Sequence, residues 1–466
     1  MVTKTYKLTL TTLGPVHIGN GNTIGKKDYF KSGDKISVLN PAVFTAQLND
    51  EQIGEYCEFL QNDSATGLQE FLDKHQLNNL AAKASAYQLD ASLARARRGT
   101  YQYFEVSEHI KDAYGCPYVP GSSLKGMLRT ALLAKTISDE NNKFIKHYNS
   151  EMVVNRREQK NACKELEKVA FWTERPDPSD KKIVNDVLKY LFVADSKPLH
   201  VSELVFVKKY DKFAKTDDGK HKHDMGDLTD RKGNELNIYR ECLRPGTKIE
   251  FILSIDERLG FDIDYLVAAL QEFQDTYDKC FSSHFDSVAA EEKGAAEDIA
   301  ANKCAGIAKS GPLVGHQCRK RPMAGSRFCE DHQDQEAEIS ARTEVICHIG
   351  GGVDFVTKTV LGALFKNDKK RLEETSKILY SQFPTKIDKN IYGGLWEIVT
   401  MTGFTPKYMQ AYMRGEKLKK GKDDHRHWKD FQLGVSPHTL KMGKIANSYY
   451  EMGKCAIAIE EISYND

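Results

Sequence analysis

One stretch constrains the fold more than any other part of the sequence: Tyr118-Val-Pro-Gly-Ser-Ser-Leu-Lys-Gly-Met-Leu-Arg129. A short extended segment ends at Gly121, and an apolar-periodic run then continues to about Ile137, which predicts a helix. We expect Ser122 or Ser123 to cap this helix, because a serine hydroxyl accepts hydrogen bonds from the amides of a first turn. Those amides and the helix dipole favour a bound anion.

Two basic residues follow the predicted cap. Lys125 and Arg129 are four residues apart, so their side chains share one helix face and could neutralise neighbouring phosphates. A nucleoside-triphosphate P-loop is excluded, because Met127 occupies the position where that motif needs lysine. A capped helix with two solvated basic residues is the plain alternative.

Length and charge set the broad class of the protein. A chain of 466 residues exceeds the size of most single cores, so two or three domains are expected. Lys plus Arg number 67 and Asp plus Glu 66, so a nucleic-acid surface must be local. We see no signal-peptide core and no run of membrane-span length, and the scattered cysteines fit reduced thiols. We therefore expect a cytoplasmic protein with no membrane partner.

Strand and helix patterns both occur, which predicts an α+β protein. Alternating apolar residues indicate strands at 4–13, 35–39, 199–210, 248–255, 344–348 and 455–462. Residues 49–96 and 264–281 read as helical, and 211–236 as a hairpin tip or loop. Because a second strand-rich region starts near residue 240, we predict one domain over 1–240 and another over 241–466.

Four potential metal ligands lie in a glycine-rich, basic segment of the second domain. Cys304, Cys318, Cys329 and His332 supply three thiolates and one imidazole, a set that suits a closed tetrahedral zinc site. Residues 286–344 are therefore predicted to form a small structural zinc insertion, and its positive charge suits a nucleic acid or an acidic protein. His316 is an alternative ligand, Cys280 with His284 is a rival pair, and unrelated free thiols are the third possibility.

Read in order, four stretches resemble one family, the RAMP superfamily of CRISPR proteins. They are Leu13–Gly21, Asp112–Arg129, Arg240–Phe251 and His348–Thr359. Their combination, with the chain length, resembles the fifth subunit of the type III-A Csm effector complex. The cysteine-rich segment is not part of the common pattern and reads as an insertion.

This resemblance implies two ferredoxin-like, RRM-type domains with helical insertions. It implies a subunit that binds the 3′ end of the guide RNA (crRNA), caps the filament of the repeated third subunit and supports crRNA 3′-end maturation. Its partners would be crRNA, the third and small Csm subunits and, indirectly, target RNA. We expect the RNA contacts at three glycine-rich places in the sequence: His17, Gly19 and Gly21; Gly121, Ser122, Ser123, Lys125 and Arg129; and Gly350, Gly351 and Lys358.

Catalysis is the alternative to binding. Some relatives cleave RNA with a histidine base, and His17 lies in a comparable first turn. No carboxylate partner is visible at a fixed spacing, and Asp28 and Asp195 each lack a second acid nearby, so we predict a non-catalytic subunit. A ribonuclease that trims the crRNA itself, or an adaptor whose zinc insertion recruits a nuclease, remain alternatives.

Aromatic residues close to basic ones offer a further place for RNA. Tyr101, Tyr103 and Phe104 follow the basic run Arg95–Arg98, so they could stack on bases. Core aromatics on a strand are the equally weighted alternative.

Overall fold

The structure, a computed structural model, describes residues 3–32, 35–62, 66–90, 104–148, 159–172, 185–214, 225–227, 238–285, 330, 345–382, 430–445 and 448–462. Its strands are β1 Thr3–Thr12, β2 Gly19–Ile24, β3 Tyr29–Ser32, β4 Lys35–Leu39, β5 Ser85–Asp90, β6 Val106–His109, β7 Leu191–Val193, β8 Leu204–Phe213, β9 Met225–Asp227, β10 Tyr239–Leu243, β11 Lys248–Asp256, β12 Val345–His348, β13 Thr439–Ile445, β14 Ser448–Glu451 and β15 Lys454–Glu461. Its helices are α1 Pro41–Thr45, α2 Asp50–Gln61, α3 Leu68–His75, α4 Asn78–Lys83, α5 Gly121–Asp139, α6 Asn141–Ile145, α7 Gln159–Phe171, α8 Ile263–Cys280, α9 Leu361–Leu364, α10 Asp368–Gln382 and α11 Asp430–Leu433.

A five-stranded sheet carries the main core, in the order β12-β15-β1-β11-β7. Strand β1 alternates as the sequence predicts: Tyr6, Leu8 and Leu10 are buried. Each of these side chains stabilises the fold by about 1.5–3 kcal/mol through burial. Helices α5 and α8 pack together against this face, because their leucines belong to the same core as those of β1.

The chain enters this sheet in the sequence β1, α5, β7, β11, α8, then β12 and β15. Strand β1 pairs antiparallel with β11 and with β15, and β11 pairs antiparallel with β7. Helix α5 therefore lies in the chain between β1 and β7, which have β11 between them in the sheet. Helix α8 lies in the chain between β11 and β12, which have β1 and β15 between them.

A seven-stranded sheet has the order β14-β13-β8-β10-β6-β2, with β9 beside β8. One of its faces packs Phe206 and Tyr239 into the main core, beside Phe104 and Tyr29. The pairing of β9 with β8 makes a hairpin in the region where the sequence predicts one.

A smaller unit has its own core. Strands β3, β4 and β5 form a three-stranded sheet, and the helices α1 to α4 bury Phe44, Tyr56, Phe59 and Phe71 in a separate cluster. The sequence predicts helix throughout residues 49–96. This is correct for α2, α3 and α4, but the same range also contains strand β5, which was not predicted.

Two predicted features differ from the structure. The boundary at residue 240 falls inside β10, and both larger sheets combine strands from before and after it. Strand β8 begins at Leu204, because a single helical turn, Val201–Glu203, precedes it. The first turn, which the sequence places around His17, ends where strand β2 begins at Gly19. Among the described residues, no helix is both long enough and apolar enough to span a membrane.

Candidate nucleic-acid interface

Two glycine-containing segments, distant in sequence, meet at the edge of the sheets. The Gly351 amide donates a hydrogen bond of 2.7 Å to the His17 carbonyl. Gly350 has a φ of +93°, and a Cβ there would lie 2.4 Å from the His17 carbonyl oxygen. Only glycine permits this approach, so the loop after β12 is held directly against the first turn of the chain.

The two segments and the first turns of α5 surround one cleft of about 320 Å³. Among the residues predicted to contact RNA, its lining includes Gly19, Ser123, Gly350, Gly351 and Lys358. The structure therefore brings parts of all three predicted stretches to one place.

The start of α5 already has a protein carboxylate beside it. The residue before the helix is Pro120, and neither Ser122 nor Ser123 makes a capping hydrogen bond, so the predicted serine cap is wrong. The Gly121 amide instead donates to Asp195 Oδ1 at 2.7 Å. This bond gives Asp195 a structural role and places a negative charge where the sequence predicts a bound anion.

The two basic residues of α5 also have partners within the protein. Lys125 Nζ donates to the Leu191 carbonyl at 2.7 Å, and burial lowers the pKa of Lys125. Arg129 forms ion pairs of 2.7 Å with Glu167 and with Asp186. The expectation that both side chains face an RNA backbone does not fit these contacts, because their helix face packs towards α7 and β7.

His17 is a buried residue. Its side chain is 6% exposed, and its Nδ1 lies 2.7 Å from the Glu241 carbonyl. Since a carbonyl only accepts, Nδ1 carries the proton, and burial lowers the pKa of the ring. These contacts make His17 a hydrogen-bonded structural residue and leave its side chain unsuited to the predicted RNA contact.

Buried polar contacts fix the position of His17. The carboxylate of Glu241 accepts hydrogen bonds from the Tyr87 hydroxyl at 2.5 Å, the His109 amide at 3.0 Å and Lys111 Nζ at 2.6 Å. Burial, with His17 and Lys111 nearby, lowers the pKa of His109 to about 3. The first turn is therefore held by neutral rings and a fully bonded carboxylate.

Sequence reasoning did not single out Arg240 as a site residue. Its Nε and Nη1 are buried and lack a hydrogen-bond partner among the described residues. Gly352, with a φ of +88°, lies directly over the guanidinium, since a Cβ there would be 2.0 Å from Nη1. A buried guanidinium without acceptors is costly, and its charge favours an anion nearby.

Two lysines extend this positive charge. Strand pairing puts Arg240 opposite Val207, so Lys209 lies on the same face of the sheet, two residues along β8. Burial, with Lys441 and Arg240 nearby, lowers the pKa of Lys209 to about 8. Burial and Arg240 also lower the pKa of Lys358, at the rim of the cleft. We call Arg240, Lys209 and Lys358 the cationic cluster.

The signal that could have found the cluster is weak. Arg240 lies in one of the stretches that carry the family resemblance, and alternation along β10 places it on one face with Cys242. Neither observation shows that its guanidinium lacks a counter-charge.

The other predicted RNA contacts lie elsewhere. Gly21 is exposed on β2, with a φ of +91°. Phe104 is buried and stacks on Tyr29 at 5.1 Å, so its predicted base stacking is wrong and the core alternative is correct. Tyr101, Tyr103 and the run 95–98 lie outside the described residues.

The candidate metal ligands are mostly outside the structure's described part. Cys304, His316, Cys318, Cys329 and His332 all fall there. The rival pair is described: burial raises the pKa of Cys280 and lowers that of His284. Asp28 accepts a hydrogen bond of 2.7 Å from the Gly25 amide, so it closes a turn.

Comparisons with known proteins match a large part of the chain. The profile of the RAMP superfamily matches residues 9–283, more than half of the chain. The CRISPR system Cms protein Csm5 of Streptococcus thermophilus is 30% identical over 289 residues, which is 60% of this chain and 73% of that protein. Csm5 of Mycobacterium tuberculosis is 28% identical over 269 residues, 54% of this chain and 67% of that protein.

A solved structure has the same overall fold. One chain of the cryo-EM structure of a Csm–crRNA–target RNA ternary complex, from a type III-A CRISPR–Cas system, superposes with a TM-score of 0.54 at 17% identity. The likeness covers 98% of this chain and 100% of that one. From the profile match and the Streptococcus relative together, the chain belongs to the RAMP superfamily and, within it, to the Csm5 proteins of type III-A CRISPR–Cas systems.

Proposed function

We propose that this Csm subunit is a non-catalytic RNA-binding protein that holds the 3′ region of the crRNA and caps the filament of the repeated third subunit. The observation that carries the proposal is the cationic cluster, because Arg240 has no acceptor for Nε and Nη1 among the described residues. These two atoms are enclosed by protein, so a backbone phosphate would contact the part of the Arg240 side chain that is exposed, and a guanidinium binds phosphate well.

The cleft beside the cluster suits a nucleic-acid backbone. Gly350 and Gly351 leave main chain at its wall, and Ser123 contributes a hydroxyl to the lining. Lys358 reaches solvent at the rim, so it could neutralise a second phosphate. Single-stranded RNA is held by such backbone groups and cations without base readout.

We further propose that the five-stranded sheet contains one ferredoxin-like unit. The chain order β1-α5-β7-β11-α8-β15, with the antiparallel sheet order β15-β1-β11-β7, follows the split β-α-β pattern of that fold, and β12, which comes before β15 in the chain, is an additional edge strand. This unit draws on both halves of the chain, which replaces our expectation of two such domains divided at residue 240.

The absence of catalysis is part of the proposal. A general base must reach the proton it removes, whereas the His17 ring is buried and bonded to the Glu241 carbonyl. On this proposal, the subunit supports crRNA 3′-end maturation by protecting bound RNA. Trimming then belongs to another enzyme, and the small subunit and the target RNA are neighbours of the bound crRNA.

The first experiment measures RNA binding by the purified chain. A 3′-labelled crRNA is titrated at several salt concentrations with wild type, Arg240→Gln and Lys358→Ala. Loss of one phosphate contact weakens binding to every sequence and lowers the salt slope by about 0.7–1. Lys83→Ala, an exposed lysine on α4 of the smaller unit, is the matched control and should bind as wild type does.

Arg129→Ala distinguishes this proposal from the expectation that Lys125 and Arg129 of helix α5 contact RNA phosphates. Because Arg129 is paired with Glu167 and Asp186, its loss should lower stability and leave the salt slope unchanged. If Arg240→Gln and Lys358→Ala both keep the wild-type salt slope, the cationic cluster does not contact the RNA.

A denaturing gel of the same mixtures with magnesium tests catalysis. If the wild-type chain shortens the RNA and His17→Ala does not, the subunit is not non-catalytic.

We also propose that Cys304, Cys318, Cys329 and His332 bind one structural zinc ion. The purified chain should then contain about one zinc by elemental analysis, and Cys329→Ser should contain markedly less. Unchanged zinc content in Cys329→Ser would favour the Cys280 and His284 pair.

Deletion of residues 286–344 tests the adaptor role, because the shortened chain should then lose the recruited nuclease and still bind crRNA.

A further inference from the structure

Tyr114 is the most exposed large hydrophobic residue among those described, with 92% of its surface accessible. It lies at the tip of a tight turn between Lys111 and Pro117, which form an antiparallel bridge. A single exposed aromatic residue on a mobile loop would need no explanation. The construction of this turn shows that the backbone at Tyr114 is held in place.

The turn is locked by hydrogen bonds on both sides of Tyr114. Asp112 Oδ1 accepts from the Tyr114 amide and from the Cys116 amide, each at 2.9 Å. The Asp112 amide donates to the Cys116 carbonyl at 2.9 Å, and Gly115 takes a φ of +80° that favours glycine. The backbone under the ring is therefore pre-organised, which reduces the entropy lost when the ring binds something.

The turn stands beside the cleft described above. On one side, the Ile110 amide donates to the Ile18 carbonyl at 2.7 Å, and Ile18 lines the cleft. On the other side, the chain runs from Pro117 into α5, where Ser123 lines the same cleft. The four residues from Ile110 to Tyr114 span at most about 14 Å, so the Tyr114 backbone lies within that distance of Ile110, which is bonded to the cleft residue Ile18.

We propose that Tyr114 stacks on a nucleobase of the RNA strand whose backbone lies in the cleft. This inference rests on the proposed RNA-binding function and adds a base contact to its phosphate contacts. A tyrosine ring offers a flat apolar face to any base, so the contact would not depend on sequence.

The charges around the turn favour stacking over phosphate binding. Lys111 Nζ is already bonded to Glu108 and to Glu241, at 3.0 and 2.6 Å. The Asp112 carboxylate repels a phosphate, whereas a neutral base meets no such cost. The tip therefore presents an aromatic surface without a cation of its own in the described turn.

Abasic scanning tests the proposal. A set of crRNA-derived oligonucleotides, each lacking one base near the 3′ end, is titrated against wild type, Tyr114→Ala and Tyr114→Phe. With wild type, one position should weaken binding roughly five- to 150-fold, the range found for stacking on an aromatic side chain. Tyr114→Ala should lose that factor on intact RNA and show no further loss with the abasic RNA, while Tyr114→Phe should behave as wild type.

Other outcomes separate the two proposals. If Tyr114→Ala binds intact RNA as wild type does while Arg240→Gln weakens binding, stacking is wrong and the cationic cluster stands. If wild type fails to bind RNA at all, the proposed function itself fails. If Tyr114→Ala keeps RNA affinity but loses association with the repeated backbone subunit, the ring is a protein contact and the stacking proposal is overturned.

Discussion

Asp354 is an unusual residue because its carboxyl group is buried beside the cationic cluster. It is 2% exposed, Oδ2 accepts from the Lys441 amide at 3.0 Å, and Oδ1 has no partner among the described residues. Burial raises its pKa to about 7; the charge of Lys441 opposes this rise, and Glu451 and Asp211 add to it. The carboxyl group therefore holds its proton over a range where an exposed aspartate has lost it.

Protonation of Asp354 makes stability depend on pH. In the unfolded chain an aspartate has a pKa of about 3.9, so between about pH 4 and 7 the folded protein binds a proton that the unfolded chain releases. Stability should fall as pH rises through that window. Asp354→Asn removes this penalty and should be more stable than wild type by roughly 2–4 kcal/mol at pH 8.

Urea unfolding at pH 5, 6, 7 and 8 checks this expectation. Asp275→Asn, which makes the same chemical change at an exposed position of α8, should follow the wild-type curve. Glu451 acts in the opposite direction: its pKa is lowered to about 2, so its contribution is lost only in stronger acid. Parallel curves for wild type and Asp354→Asn would show that Asp354 does not titrate in this range.

The same residues show how far sequence reasoning reaches. The predicted glycines at 350 and 351 do line the cleft, because a glycine loop after a strand carries its own local signal. Arg129 was expected to be available to RNA, yet its partners Glu167 and Asp186 come 38 and 57 residues later. Helical spacing shows which residues share a face, but not what packs against that face.

Helix α5 is positioned by a glycine at its first residue. A Cβ on Gly121 would lie 2.3 Å from the Val193 carbonyl oxygen and 2.6 Å from that of Ala194. Both oxygens belong to main chain, so they cannot move aside cheaply. The close contact of α5 with β7 therefore depends on glycine here, in the middle of the stretch that predicted the helix.

Two glycine substitutions in this one helix should have opposite effects. Gly121→Ala should lower the free energy of unfolding by roughly 1–3 kcal/mol, because overpacked contacts force a backbone shift. Gly126→Ala is the matched control: a Cβ there meets nothing within 4 Å, so better helix propensity should raise stability by about 0.5–1 kcal/mol. Denaturant unfolding of both variants measures the difference, and equal stabilities would contradict the packing of α5 on β7.

The ends of strands and helices can be predicted from the sequence where the local apolar pattern is strong. The alternation of β1 and β11 and the period of α8 were sufficient to place them within a residue or two. Strand β5 was missed because its six residues follow a long helical pattern without a clear break. Long-range pairing of these elements has no such local signal.

Strand pairing joins the two halves of the whole molecule. Strand β1 lies between β11 and β15, so the beginning of the chain is hydrogen-bonded along both edges to its second half. In the other large sheet, β10 pairs with β8 on one side and β6 on the other. No cut near residue 240 separates the described sheets into two complete units.

Fragments of the chain should therefore fold only together. Residues 1–237 alone lose both neighbours of β1, and residues 238–466 alone lose the strand between β11 and β15. Each fragment would expose its part of the apolar face, Leu8 in the first and Phe251 and Ile457 in the second. Each would also expose unpaired strand edges, which promote aggregation. We expect each fragment expressed alone to be insoluble or to lack a cooperative unfolding transition, and co-expression to recover a soluble pair. A cooperative transition for residues 1–237 alone would instead restore a domain boundary near residue 240, and it would mean that the five-stranded sheet is not the core that the two halves share.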